Sequence, residues 1–173
     1  PGLNNVAIFD GAGSKNGNAI LNTTMSVATI TINGYSGTLN TNGYAVTIAT
    51  GLTQASGTLS LSSSVITLKG NFLHSAGTFN AGTSTMTFAG TTSTKTITSN
   101  GAVFSRVVFD SDDGSGAWWL MDNSSMTQIT ANDGYLEDRG NIVTVNGSIF
   151  ISSISAILNS TGKWIQAGDG ILS

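Results

Sequence analysis

Apolar residues recur along this chain in two interleaved ladders with a step of 20 residues. Gly37-Thr38-Leu39, Gly57-Thr58-Leu59 and Gly77-Thr78-Phe79 form the first. Val46-Thr47-Ile48, Ile66-Thr67-Leu68 and Met86-Thr87-Phe88 form the second. Apolar and polar positions alternate with period two inside each triplet, the mark of a strand with one buried face. The pattern therefore points Val46, Ile48, Ile66, Leu68, Met86 and Phe88 inward and Thr47, Thr67 and Thr87 outward. It likewise stacks Leu39, Leu59 and Phe79 in the core, with Thr38, Thr58 and Thr78 on an exposed row. A short fixed period means that each unit is a rung whose apolar face is covered by the next rung. Some 20 residues are too few for a helix pair and enough for two or three short strands with turns. The predicted fold is all-β, a parallel β-helix or β-solenoid of about eight rungs of ~20 residues, as a single domain over 1–173.

The rest of the chain fits this frame. Asn5–Phe9, Ala19–Leu21 and Val27–Ile32 read as strands, separated by the glycine-rich turn Gly11–Ser14. Asn33-Gly34, Asn42-Gly43 and Asn100-Gly101 read as tight turns, because Asn and Gly tolerate positive φ. Gly134–Val145 copies Gly37–Ile48 at a separation of 97 residues, with Gly, then Leu two later, Gly six later and V-T-[IV] from nine later. That separation is close to five rungs less a few residues. The least regular stretch, Phe104 to Met126, is read as continued rungs carrying one long loop near 110–116.

Composition narrows the function. Charged residues are 9% of the chain, and Gly, Ser, Thr and Asn supply about half of it. The 39% apolar content is too strongly patterned for a disordered chain. A net charge of −3 and six scattered Lys and Arg residues argue against nucleic acid, which requires a basic stripe. Cysteine is absent, which removes disulfides and thiolate metal sites, and no apolar run is long enough for a membrane-spanning helix. The chain begins at Pro1 without an initiator Met and stops in strand-like residues, so a processed chain or a segment of a longer or assembled protein is expected.

The segments GTLNTNGYAVTIATG and GNFLHSAGTFNAGTSTMTFAGTTSTKTITSNGAVFSRVVFDS resemble repeats of long bacterial and phage surface proteins. The opening NNVAIFDGAGSKNGNAILNTTMSVATITINGYSGTLN is similar to the first segment of the same adhesin-like proteins, and the resemblance is weakest over Ala117 to Asn132. It implies an exterior β-solenoid, extracellular, on a cell surface or in a virion, and it carries over no catalytic residue.

Candidate chemistry is sparse. The one histidine, His74, has Ser75 and no carboxylate beside it in sequence, so a structural or surface role is expected. Asp110, Asp112 and Asp113, with Asp122, are the acids best suited to a cation. Carboxylates at a Gly-broken turn fit Ca²⁺, although EF-hand spacing and the glycine–aspartate nonapeptide of Ca²⁺-binding β-rolls are both missing. No other cofactor is indicated. Asp110/Asp112 and Glu137/Asp138 are the pairs to consider for glycoside cleavage, but neither occupies a recurring rung position. In Trp118-Trp119 one ring should be buried and the other outside, where it meets a sugar or partner or lies under the long loop. Trp164 is expected to cap the end of the stack. Ice binding would need two parallel Thr columns on one strand, whereas the 20-residue ladders are single columns.

The function expected from the sequence is a non-enzymatic structural or adhesive exterior protein, a stiff rod with a polar skin. Apolar residues in both end segments, Val6, Ile8 and Phe9 and then Ile165, Ile171 and Leu172, suggest self-association into a trimer, fibre or lattice, or placement in a parent assembly. The alternative is a glycan-binding or polysaccharide-degrading β-helix, using Asp112, Asp113, Trp118 and Trp119 on a surface glycan.

Overall fold

The computed structural model describes residues 2–91, 94–152 and 156–168, and Ile171 and Leu172 lie outside them. In chain order the strands are β1 Val6–Phe9, β2 Ala19–Ile20, β3 Met25–Ile32, β4 Thr38–Asn40, β5 Val46–Gln54, β6 Thr58–Ser60, β7 Val65–Leu68, β8 Asn71–His74, β9 Thr78–Asn80 and β10 Thr85–Phe88. They continue as β11 Thr94–Thr98, β12 Val103–Phe109, β13 Ala117–Leu120, β14 Ser124–Ala131, β15 Gly134–Glu137, β16 Ile142–Val145, β17 Ile149–Ile151, β18 Ala156–Asn159 and β19 Lys163–Gln166. Every pairing among them is parallel, and the coil makes about seven turns of about 21 residues rather than eight of 20. The chain is a β-solenoid with essentially no helix.

Three faces recur in each turn. The first stacks the leading halves of β3 and β5, then β7, β10, the trailing halves of β12 and β14, and β17. The second runs β1, the trailing halves of β3 and β5, β8, β11, β13, β15 and β18. The third begins with β2, β4, β6 and β9 and resumes with the leading halves of β12 and β14, β16 and β19.

The two ladders seen in the sequence fall in register. Leu39, Leu59 and Phe79 are direct partners on the third face, the first two fully buried and Phe79 half-buried; Thr38, Thr58 and Thr78 line up outside them. Thr47, Thr67 and Thr87 align on the first face, between buried Val46/Ile48, Ile66/Leu68 and Met86/Phe88. Each buried Leu or Ile contributes about 1.5–3 kcal/mol, so the stack of inner residues is the main source of cohesion between turns.

Corners interrupt the ladder, and there the side chains of Asn and Asp take over from backbone carbonyls. Asn16 accepts from the Ser36 N–H at 2.8 Å, Asn18 from Thr38 at 3.0 Å and Asn123 from Ile142 at 2.8 Å, each from the neighbouring turn. These Asn side chains keep corner N–H groups paired where the ladder stops.

A hydrogen-bonded four-residue turn recurs five times and changes corner part-way down. In Thr41–Tyr44, Leu61–Ser64, Ala81–Ser84, Ser99–Ala102 and Asp138–Asn141 the fourth N–H bonds the first carbonyl at 2.8–3.1 Å. Asn42-Gly43, Asn100-Gly101 and Arg139-Gly140 hold positive φ at both central positions, the geometry of a type I′ turn. The first three turns join the third face to the first; the last two join the second face to the third. After Ser84 the corner between third and first faces is instead crossed by the continuous strands β12 and β14. The copy at 97 residues is thus a local motif displaced by one face: Leu39 lies on the third face and Leu136 on the second. Its reading as the same rung position five turns on is corrected accordingly.

Where the turn changes corner, the third-face ladder breaks. Among the described residues no backbone hydrogen bond joins β9 to β12, although the rings of Phe79 and Phe104 lie 5.5 Å apart across the gap. The core turns aromatic at this level: Phe72 and Phe104 lie 5.3 Å apart, Phe88 stacks on Phe109 at 5.3 Å, and Phe109 meets Trp118 at 5.2 Å. Large flat rings fill the cross-section where the regular aliphatic stack is offset.

Candidate functional site

The loop 110–116 sits at the corner between the first and second faces, between β12 and β13, where the sequence places it. It is braced from inside. Buried Ser111 is its hub: its N–H donates to Asp133 Oδ1 at 2.6 Å, its hydroxyl donates to Asp113 Oδ1 at 3.0 Å, and its oxygen accepts the Gly116 N–H at 2.9 Å. The Ser115 hydroxyl and N–H both reach Asp113 Oδ1, at 2.6 and 2.9 Å, and they hold that carboxyl below the ordinary carboxylate range. Asp112 turns away to Lys69, whose Nζ lies 2.6 Å from Oδ2. Asp122 is not part of this loop. It lies at the corner between second and third faces, where its carboxylate accepts the Ser99 N–H and hydroxyl at 2.9 Å and the Asn100 N–H. The predicted Ca²⁺ set of Asp110, Asp112 and Asp113 therefore does not converge, because Asp112 is drawn to Lys69 and Asp113 to the Ser111 and Ser115 donors. Among the described residues no three His, Cys, Asp or Glu side chains group as metal ligands.

The pair Glu137/Asp138 diverges as well. Glu137 stands on the outer side of β15, while Asp138 is fully buried at the next corner. The Gly140, Thr161 and Gly162 N–H groups donate to Asp138 Oδ1 at 3.1, 3.0 and 2.9 Å; the Ser160 hydroxyl and the Trp164 indole, at 2.9 Å, donate to Oδ2. Burial alone would raise its pKa, but the Ser160 and Trp164 side chains and the backbone donors outweigh it and hold it at about 2. With both oxygens occupied, Asp138 binds one turn of the coil to the next. Its role was visible in sequence only as the first residue of Asp-Arg-Gly-Asn, the slot that Thr41 and Ser99 fill in their own turns. Trp164, half-buried against the core, is anchored by the same carboxylate.

Trp118 is fully buried between two glycines. A Cβ at Gly116 or Gly134 would stand 2.7 Å from its ring, so neither position admits a side chain. Trp119 faces outward, half-buried, and what covers it is the Arg139 guanidinium, 4.2 Å from the ring centroid.

His74 is buried, in register beside Gln54 on the second face. Burial pushes its pKa down, and the charge of Asp122 acts the other way. The fold thus supplies the carboxylate missing from the local sequence, with Ser99 as its hydrogen-bonded partner. The His74 Nδ1 and the Gln54 Oε1 are buried without a hydrogen-bond partner. On the outside, Thr85 and Thr87 form a T-x-T pair whose neighbours in register are Val65/Thr67 and Arg106/Val108. The second threonine column does not repeat.

No protein-family model, curated protein or solved structure matches this chain. No helix among the described residues is long and apolar enough to cross a membrane.

Proposed function

We propose that the protein is a non-enzymatic structural or adhesive component of a cell surface or virion, a rigid solenoid whose exposed apolar end turns pack against further protein, either another copy or the rest of a parent assembly. The observation that carries this reading is the placement of exposed apolar residues. Among the described residues the large hydrophobic side chains that are more than half exposed are Val6, Ile8 and Ile20 on the first turn and Ile157 on the last strands, at 55%, 62%, 63% and 56%; Val65 and Val103 in the middle turns reach 49%. Between the ends, exposed hydrophobics such as Val65, Leu73, Val103 and Met121 are scattered singly among polar residues. A solenoid that stands alone closes its ends with polar turns, and open parallel strand edges invite pairing. The resemblance of the repeats to bacterial and phage surface proteins supports the exterior location. The divergence of Glu137 from Asp138, and the engagement of Asp112 and Asp113 by other groups, support a non-catalytic role.

Sedimentation over a range of concentrations tests the proposal. Wild type is expected to grow beyond the monomer, and Ile8→Asp and Ile157→Asp variants to remain monomeric with unchanged circular dichroism. A compact monomer at high concentration, with terminal amides protected from exchange, would overturn it.

A further inference from the structure

The chain has six lysines and arginines, and two of them meet at one corner of the coil. Lys69 follows β7, and the register Ile97↔Phe72, carried back two places, sets Lys95 beside Gly70 on the next turn. A groove of about 450 Å³ crosses this corner, lined by Thr50, Lys69, Asn71, Thr94 and Lys95. Its size is that of a small-ligand cleft, and beside Ala49 and Gly70 its lining carries hydroxyl, amide and ammonium groups. Asn71 Oδ1 is engaged by the Thr96 N–H, which leaves the amide nitrogen to face a ligand.

The second observation is what already touches Lys69. Asp112 reaches over from the loop 110–116, and its carboxylate rests 2.6 Å from Nζ. Both side chains are substantially exposed, at 39% and 49%, so water competes for each and the pair holds weakly. A carboxylate thus sits at the rim of a polar groove, tethered to a loop.

We propose that this groove binds a carboxylate-bearing saccharide, whose carboxylate replaces that of Asp112 on Lys69. Lys95, whose Nζ also donates to the Thr91 carbonyl at 3.2 Å, adds a second positive charge one turn on, and Thr50, Thr94 and the Asn71 amide bond the sugar hydroxyls. Asp112 is then an internal competitor, so removing its charge strengthens binding. The site needs no second copy of the chain and stands whether or not the end turns associate.

The test is titration of the full chain at low salt with trigalacturonate, with neutral trigalactose and with inorganic phosphate, monitored by calorimetry. Melting curves of each variant check that it folds. The acidic trisaccharide is expected to bind and the neutral one not. Lys69→Gln should weaken binding about tenfold, and Asp112→Asn should strengthen it about threefold. Asp10→Asn makes the same change in net charge on the first turn and should leave affinity unchanged. Equal binding of the neutral sugar, an unaffected Lys69→Gln variant, or equal gains in Asp112→Asn and Asp10→Asn would each overturn the proposal. Phosphate competing as well as the saccharide would reduce the groove to a free-anion site and overturn it too.

Discussion

Replacing Asp138 by Asn keeps the shape of the side chain and removes its charge. The Asn oxygen can still accept from the Gly140, Thr161 and Gly162 N–H groups, but its NH₂ then faces two other donors, the Ser160 hydroxyl and the Trp164 indole. The magnitude follows from linkage. A fall from 3.8 to about 2, at about 1.4 kcal/mol per pKa unit, corresponds to roughly 2.5 kcal/mol favouring the ionised folded state. The donor clash adds to this, so a loss of about 3–4 kcal/mol is expected at neutral pH. For a chain of this size that is about 6–16 °C in Tm. The pH dependence is the sharper test. The folded-state pKa is depressed, so this contribution is complete above 3.8 and is lost as pH falls towards about 2. Wild type and Asp138→Asn should therefore differ most at pH 7 and approach one another near pH 2; taking the difference cancels the other carboxylates. Urea unfolding of both proteins across that range measures it, with amide exchange in β16 and β19 reporting on the turns concerned. A difference below about 0.5 kcal/mol at pH 7, or one that does not change with pH, would refute the reasoning.

Gly134→Ala should cost more than 2 kcal/mol, because Gly134 has a φ of 79° and its added methyl would stand 2.7 Å from both the Gly116 carbonyl oxygen and the Trp118 ring; a thermal melt within 2 °C of wild type would contradict the contact. Leu59→Asp should unfold the middle turns, since it places a carboxylate without a partner between Leu39 and Phe79; retention of the wild-type circular dichroism spectrum at neutral pH would show that this column is not the core.

The strands and the inward residues were readable because a period of two within strands and of 20 between them leaves little freedom over which side chains face in. Leu39, Leu59, Ile66 and Phe88 took their places on that ground alone. The loop 110–116 was readable from its composition, as was the split of Trp118 from Trp119. What the pattern hid was the change of corner after Ser84. The type I′ turn is a local signal, and it looks the same whether it joins the third face to the first or the second to the third. The same limit applied to the acids. Sequence proximity grouped Asp110, Asp112, Asp113 and Asp122, whereas donors about a turn away, Ser99, Ser160 and Trp164 among them, decide where such carboxylates rest. No local motif announces a partner 22 to 26 residues distant. Lys69 and Asp112, 43 residues apart, are further still from being readable together.

The gap between β9 and β12 also has a meaning in mechanics. The hydrogen bonds between turns run along the axis of the coil, so tension along that axis is shared by the ladders of the three faces acting in parallel. Between β9 and β12 the third face carries no such bonds, and the load passes through two ladders and the aromatic contacts of Phe72, Phe79 and Phe104. Stiffness in this rod is therefore not uniform along its length, and its most compliant cross-section lies close to its middle.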